Sequence, residues 1–476
     1  MSFCIQENQR YTVNVFQIRG YDLAGMTIVY DGTGWVVMDV LTTSERAEAV
    51  WTEIVNVYLE EENPEKAKPH TINTVIYSHS HIDHYGGIGG LKGFFSDGIV
   101  ILAPGGFTKH AVSENIYVGT AMKRRAAYQY GSRLELGAKG RVDCGLGKEV
   151  SEGTNTLIVP TREIGFDDYL SGKKYSAYNA TTREILAETP GESSDDLILQ
   201  MQYTPGTEAP AEMNVYLPGQ KILFIAENCA GTLHNTLTPR GAEVRDPLAW
   251  ADFLDETLVT FPDLETVCGA HNWPHFGHGD SMKFLEIQRD MYRYINNATL
   301  RLVNLGYTID EVGRMISGED GSVPLPEAFA GEWCCHGFYG TYNHDAKAVY
   351  QRYIGWYDGN PAHLNRHKPK DRANRYVQAF GAAAIIAEAG KALGKTNAEP
   401  EKNGKEPDYE WAAKLLDYIL NADAAPEISR LLVQQDKERP GQLTVEGDKE
   451  AVDKLIGYLT RFPLNFPIMT PRDILE

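Results

Sequence analysis

The apolar run INTVIY (72–77) leads directly into SHSHIDHYGG (78–87), which places His79, His81, Asp83 and His84 within six positions. Only 13 histidines occur in the whole 476-residue chain, so the crowding is not a matter of composition. A Val/Ile-rich strand ends here and a loop begins. Side chains two apart on extended backbone share a face, which predicts His79, His81 and Asp83 on one side and His84 arriving from the turn that follows. Gly86 and Gly87 let that turn tighten. Imidazole nitrogens with a carboxylate are the ligand set of zinc or a similar divalent ion, and N/O donors with an open position mark a catalytic style of site. A histidine-rich surface loop is the competing reading. Four ligand-type residues at HxHxDH spacing, straight after an apolar strand, argue against it.

The chain is long enough for two or three domains. Its 42% apolar fraction, with 26 Tyr, 16 Phe and 7 Trp, can fill sizeable cores, and the 23% charged fraction is ordinary. A net charge of −20 argues against a nucleic-acid partner. It leaves room for an anionic small substrate, because a bound metal reverses the local field. No run approaches the roughly 18 to 20 apolar residues of a membrane span. The start, MSFCIQENQRYTVNVF, has no basic region followed by an apolar one, so no secretory signal is expected. Cys4, Cys144, Cys229, Cys268, Cys334 and Cys335 form no CxxC pair and read as reduced thiols of a cytoplasmic protein. A chain trimmed of its signal would look the same, and would then be periplasmic or secreted.

Strand signals recur at 11–18, at 25–40 around a DGTG turn, and at 98–104, 154–160 (TNTLIVP), 195–203, 214–218 and 221–228. Helical patterns cover 43–62, 107–127, 247–260 and 280–304. Strands mixed with helices over the first 275 or so residues predict an α/β (α+β) domain built around sheets. Beyond about 305 the chain turns helical, at 345–357, 373–393 and 409–435, with a polar loop at 395–407. The last stretch, 441–462, reads as one strand and one helix.

A two-metal site needs ligands from later strand ends. Glu208 and Glu212 in YTPGTEAPAEMNVYLP, Glu227 in KILFIAENCAGTLHN and His271 in VCGAHNWPHFGH are the candidates. A glutamate at the end of a buried strand, as Glu227 is, is either paired or a ligand.

The HxHxDH motif resembles that of the metallo-β-lactamase superfamily, whose substrates range over β-lactams, thioesters, nucleic acids and sulfate esters. SHSHIDHYGG, TPGTEAPAEMN, AENCAGTLHNTLTPRGAEVRD, GAHNWPHFG and KAVYQRYIGWYDGNPAHL together resemble the alkylsulfatase (alkyl/aryl-sulfatase) family, over most of residues 11–435. The resemblance implies a metallo-β-lactamase αββα sandwich followed by an α-helical dimerisation domain. The expected division is 1–305 catalytic, 306–369 helical extension, 370–440 dimerisation and 441–476 a short remnant of a sterol-carrier-like domain.

It also implies two Zn2+ per subunit. His79, His81 and Glu208 would hold the first, Asp83, His84 and His271 the second, and Glu227 would bridge, leaving Glu212 a structural role. Asn235 and Arg240 would grip the sulfate, a task suited to an amide and a guanidinium fork. From the residues alone, NTLTPRG reads as a Pro-containing turn with an exposed Arg. His344 matches a family histidine near the sulfate, as proton donor or anion holder.

The expected function is zinc-dependent hydrolysis of dodecyl-sulfate-like esters to alcohol and inorganic sulfate by a hydroxide held between the metals. The expected partners are a small-molecule sulfate ester and a second copy in a homodimer, with no nucleic acid and no membrane. The residues leave open another hydrolase of the superfamily, such as a thioesterase or lactonase, and a non-catalytic metal-binding protein. Set against the family pattern, the chain is expected to lack most of the sterol-carrier-like domain and the N-terminal leader, which puts the alkyl chain length in question.

Overall fold

Alternation along the first strands sorts the apolar residues into two cores. In the hairpin Met26–Tyr30 and Trp35–Met38, Val29, Val36 and Met38 belong to one buried cluster, and Ile28, Trp35 and Val37 to another. The DGTG turn is fixed by Asp31, whose Oδ1 accepts from the backbone of Thr33 at 2.8 Å and of Gly34 at 2.7 Å. Both strand faces are therefore covered, one by a second sheet and one by helices.

The computed structural model describes residues 2–7, 14–57, 71–132, 134–138, 140–189, 196–318, 323–392 and 408–423. Within them lie two seven-stranded sheets. The first runs in chain order through Ser2–Glu7, Asn14–Ile18, Met26–Tyr30, Trp35–Met38, Ile72–Ile76, Phe95–Pro104 and Arg162–Ile164, antiparallel at the start and parallel from Trp35–Met38 onward. The second places Ile198–Tyr203, Met213–Leu217 and Ile222–Phe224 at its centre, with Thr266–Cys268 parallel to the last.

Val15, Val29, Ile76, Leu199, Met213, Val215 and Phe224 fill the space between the sheets. Outside the first sheet, Trp51, Val55 and Phe107 pack on Ile28 and Val37. Outside the second, the helices Pro247–Thr260, His278–Asn304, Ile309–Ile316 and Tyr342–Ile354 bury Trp250, Met291, Tyr292 and Val349 against Tyr216 and Leu223. The layers are those of the expected αββα sandwich.

The chain divides into two compact units at 358/359. In the second, Pro369–Phe380, Ala382–Ala392 and Tyr409–Asn421 enclose Ile385, Ile386, Leu415, Leu416 and Ile419.

Three sequence expectations change. Residues 154–160 form no strand: Thr154 O accepts from Ser44 N, Thr156 N donates to Gly86 O, and Leu157 and Ile158 lean on the helix-side core, so the segment straps loops together. The helical pattern at 373–393 breaks at Gly381, whose φ of +79° stops one helix and starts another. The short strands Arg162–Ile164, Ser176–Asn179, Glu184–Leu186, Thr266–Cys268 and His275–Phe276 were too brief to leave a periodicity.

The loop at 395–407, the end of the last helical pattern beyond 423, the 441–476 remnant and the side chain of Cys4 lie outside the described residues. Cys144, Cys229, Cys268, Cys334 and Cys335 are unpaired, and no described helix is long and apolar enough to cross a membrane.

Candidate metal centre

The site forms where the two sheets end side by side. The strand Ile72–Ile76 runs on through Tyr77 and Ser78, and Ser78 O accepts from Met213 N at 3.0 Å, joining the end of one sheet to a strand of the other. His79 bridges to Glu212 at that junction. His81 is still extended, but Ile82–Tyr85 closes into one helical turn. Asp83 therefore leaves the face it was expected to share with His79 and His81. It joins His84 instead.

Gly86 and Gly87 matter for space, not for an unusual backbone angle. A Cβ on Gly87 would lie 2.0 Å from Val40 O, and one on Gly86 would lie 2.3 Å from Thr42 O. The absence of a side chain lets the motif lie against the loop after Met38.

Two groups of ligand atoms result, each gathered within 4.8 Å: His79, His81, Glu208 and Glu227, and Asp83, His84, Glu227 and His271. Glu227 belongs to both. Its Oε2 lies 3.3 Å from His79 Nε2, 3.2 Å from His84 Nε2 and 3.3 Å from His271 Nε2. Glu208 Oε2 lies 3.4 Å from His79 Nε2 and 2.8 Å from His81 Nδ1. Asp83 Oδ2 lies 3.2 Å from His84 Nε2.

The donor set fits a pair of divalent ions. The Nε2 atoms of His79, His84 and His271 and Oε2 of Glu208 are buried without a hydrogen-bond partner, all facing these groups. The far nitrogens of the same rings are occupied. His84 Nδ1 meets Asp39 Oδ2 at 2.8 Å, His271 Nδ1 meets Leu23 O at 3.0 Å, and His79 Nδ1 meets Ser78 Oγ at 3.0 Å. A carboxylate or carbonyl on one ring nitrogen fixes the proton there and leaves the other as a lone-pair donor.

Asp39 is the hub of this support. It is fully buried, it sits at a φ of +59°, and it accepts from Ser78 N and Ser78 Oγ, each at 2.8 Å, as well as holding His84. A positive φ outside glycine is strained backbone, kept here by three bonds to one carboxylate.

The electrostatics follow from crowding charges out of water. Burial disfavours a charged His81, yet Glu208 and Glu114 outweigh it and push its pKa up to about 10. Burial likewise opposes charge on Glu227, but His271 and His234 hold its carboxyl well below the usual range. Glu212 behaves differently. Burial and the neighbouring Glu208 push its pKa up, against the bonds it accepts. It accepts from Thr207 Oγ1 and Ala209 N, each at 2.9 Å, and orders the loop that presents Glu208.

Beside the first group lies a cavity of about 380 Å³, lined in part by His81, Glu114, Glu208, Arg240, Arg245 and Met122. Arg240 Nη2 lies 2.5 Å from Glu114 Oε1. Its Nε is buried without a partner, as is Nδ2 of Asn235. Asn235 O and Oδ1 accept from Arg245 Nη1 at 2.6 and 2.7 Å. Arg240 is thus a buried, paired cation, not the exposed residue of a turn. His344 is exposed on the first turn of Tyr342–Ile354. The neighbouring Asp345 accepts from Thr236 N at 2.8 Å, which ties that turn to the segment carrying Asn235.

Sequence reading missed Asp39, Glu114, His234 and Arg245. His234 Nε2 meets Glu227 Oε1 at 2.8 Å. His234 and Arg245 both lie in the stretch AENCAGTLHNTLTPRGAEVRD, where sequence reading assigns neither of them a role.

Comparison with known proteins bears on the family and the fold. Residues 22–124 match the family model of the metallo-beta-lactamase superfamily, and residues 320–444 match that of alkyl sulfatase dimerisation. A linear primary-alkylsulfatase of Pseudomonas sp is 37% identical over 442 residues, covering 92% of this chain and 58% of the relative. An (R)-specific secondary-alkylsulfatase of Pseudomonas sp is 38% identical over 438 residues, covering 90% and 59%. Among solved structures, the stereoselective inverting sec-alkylsulfatase Pisa1 from Pseudomonas sp. superposes with a TM-score of 0.74 at 37% identity, over 91% of this chain and 61% of that one. The chain thus spans about three fifths of the length of the relatives it matches. With an αββα sandwich, one segment matching the metallo-beta-lactamase superfamily, one matching alkyl sulfatase dimerisation and this identity along nine tenths of its length, the chain is similar to the alkylsulfatases of the metallo-β-lactamase superfamily.

Proposed function

We propose that this protein hydrolyses alkyl sulfate esters to an alcohol and inorganic sulfate with two zinc ions. One observation carries the reading: the wall that presents His81 and Glu208 also presents Arg240, whose guanidinium is buried beside two ligand groups that share Glu227. His79, His81 and Glu208 would hold the first ion, Asp83, His84 and His271 the second, and Glu227 both. Two bound divalent ions would supply an acidified water and electrostatic stabilisation of developing negative charge.

The chain's own groups do the rest. Arg240 Nε and Asn235 Nδ2 are donors without protein partners, and an oxyanion accepts from both. Glu114 keeps the guanidinium turned to the cavity. His344 is exposed and is not among the residues lining the cavity, and its role as proton donor or anion holder is carried over from the resemblance alone; intact turnover in metal-loaded His344→Ala removes it from the mechanism.

The match of 320–444 to a dimerisation family supports a homodimer as part of the proposal, and the unpaired cysteines fit a cytoplasmic setting.

The test is inorganic sulfate released from dodecyl sulfate by zinc-loaded protein, with Asp83→Ala beside it. Release that disappears in the variant supports both reaction and site. No release from a protein holding two zinc ions sinks the alkyl sulfate reading, and activity on a thioester in its place selects another hydrolase of the superfamily.

A further inference from the structure

We propose that Glu114 and Arg245 are positioning residues that couple the first ligand group to the anion grip, so that an oxyanion in the cavity and a metal ion at His79, His81 and Glu208 strengthen each other's binding. The inference rests on the function proposed above, and adds to it a linkage between its two parts.

Each of the two side chains is double-ended. Glu114, from the π-helical stretch Ser113–Tyr117, places Oε2 3.3 Å from His81 Nε2 and Oε1 2.5 Å from Arg240 Nη2. Arg245 places Nη2 2.5 Å from Glu208 Oε1 and donates through Nη1 to Asn235 O and Oδ1 at 2.6 and 2.7 Å. One bridge therefore joins ligand His81 to Arg240, and the other joins ligand Glu208 to Asn235. Glu114 and Arg245 are 12% and 4% exposed at the side chain, so little water competes for these contacts.

The chemistry of the ligand set requires something of this kind. A glutamate at 208 brings a full negative charge into a buried site already holding Glu227, and Arg245 neutralises it. That guanidinium can then turn only as Glu208 and Asn235 allow. A shift of His81 or Glu208 toward an ion moves the carboxylate and the guanidinium that orient the grip, and a bound oxyanion restrains them in return. The second ligand group reaches the grip indirectly, through the shared Glu227, whose Oε1 meets His234 Nε2 at 2.8 Å while His234 Nδ1 meets Asn235 O at 2.9 Å. His84 and His271 are backed by Asp39 and by Leu23 O.

The experiment follows zinc leaving the doubly loaded protein to a chromophoric chelator, with and without inorganic sulfate. Sulfate is expected to slow the departure of one of the two ions by about five- to tenfold and to change the other far less. Glu114→Gln and Arg245→Lys are each expected to bring that ratio close to one. Arg245→Lys keeps the charge beside Glu208 and removes only the fork, so the variant retains the neutralised core that folding needs. Circular dichroism confirms folding, and Glu114→Gln supplies an independent arm on the other bridge. Folded variants that keep the parent's sulfate ratio overturn the inference. A parent that holds two zinc ions but shows no sulfate effect also overturns it, and leaves the metal centre standing. A parent that binds no zinc overturns the proposed function itself, and the coupling with it.

Discussion

The two ligand groups use the same donor types but are braced differently. His84 and His271 are held from behind, by the strained Asp39 and a backbone carbonyl. His81 and Glu208 are held from the front, by Glu114 and Arg245, which also line the cavity. His79 lies between these cases, backed by Ser78 and through it by Asp39, yet grouped with His81. Bracing from the scaffold makes a ligand rigid and indifferent to what enters the cavity. Bracing from the cavity wall makes it responsive.

The largest effect should come from breaking the rear brace. Asp39→Asn offers His84 Nδ1 an amide in place of a carboxylate and disturbs Ser78 as well. Zinc affinity should fall by about 10- to 100-fold. Chelator competition should show the loss mainly in the ion that sulfate affects less; a loss confined to the more sulfate-sensitive ion would reverse the contrast between the two braces.

A smaller change sharpens the front side. Arg240→Lys keeps a cation near Glu114 but gives up the donor at Nε. We expect KM for dodecyl sulfate to rise by roughly tenfold, the size of one or two charged hydrogen bonds, with zinc content unchanged. Steady-state kinetics paired with metal analysis checks both halves.

The smallest effect concerns neither brace. Asp345 is fully buried, its Oδ2 has no partner, and burial pushes its pKa from 3.8 up to about 7 despite the bonds from Thr236. Between these values the unfolded chain gives up the proton and the folded one keeps it, so the parent loses stability as pH rises through that window. Asp345→Asn escapes the loss. Its thermal midpoint should exceed the parent's at pH 8, and the gap should close as pH falls toward 4. A gap independent of pH would assign the effect to packing.

The residues singled out in the sequence and then gathered in the structure are those whose chemistry is concentrated locally. HxHxDH packs four ligand types into six positions behind an apolar strand, and Glu227 stands out as a carboxylate at the end of another. The hairpin at 26–38 was legible for the same reason, since turn chemistry and alternation coincide within a few residues. Reading failed where the next few residues did not settle the conformation. Strand alternation put Asp83 on the face of His79 and His81 because nothing in IDHY announces a single helical turn, although the resemblance already grouped it with His84 and His271, and TNTLIVP has the composition of a strand but no neighbour to pair with.

Sequence alone determined the donor types, the sandwich class and, through resemblance, the family, because these depend on periodicity and on motifs that survive without coordinates. Tertiary structure alone decided that Asp83 turns away from the face of His79 and His81, that Arg240 packs against Glu114, and that Asp39 and Arg245 support the site at all. Asp39 is 40 residues from His79, and Arg245 is 37 from Glu208. Ion pairs and hydrogen bonds act over a few ångströms of space, and only the folding of the two sheets against each other brings those distances within reach.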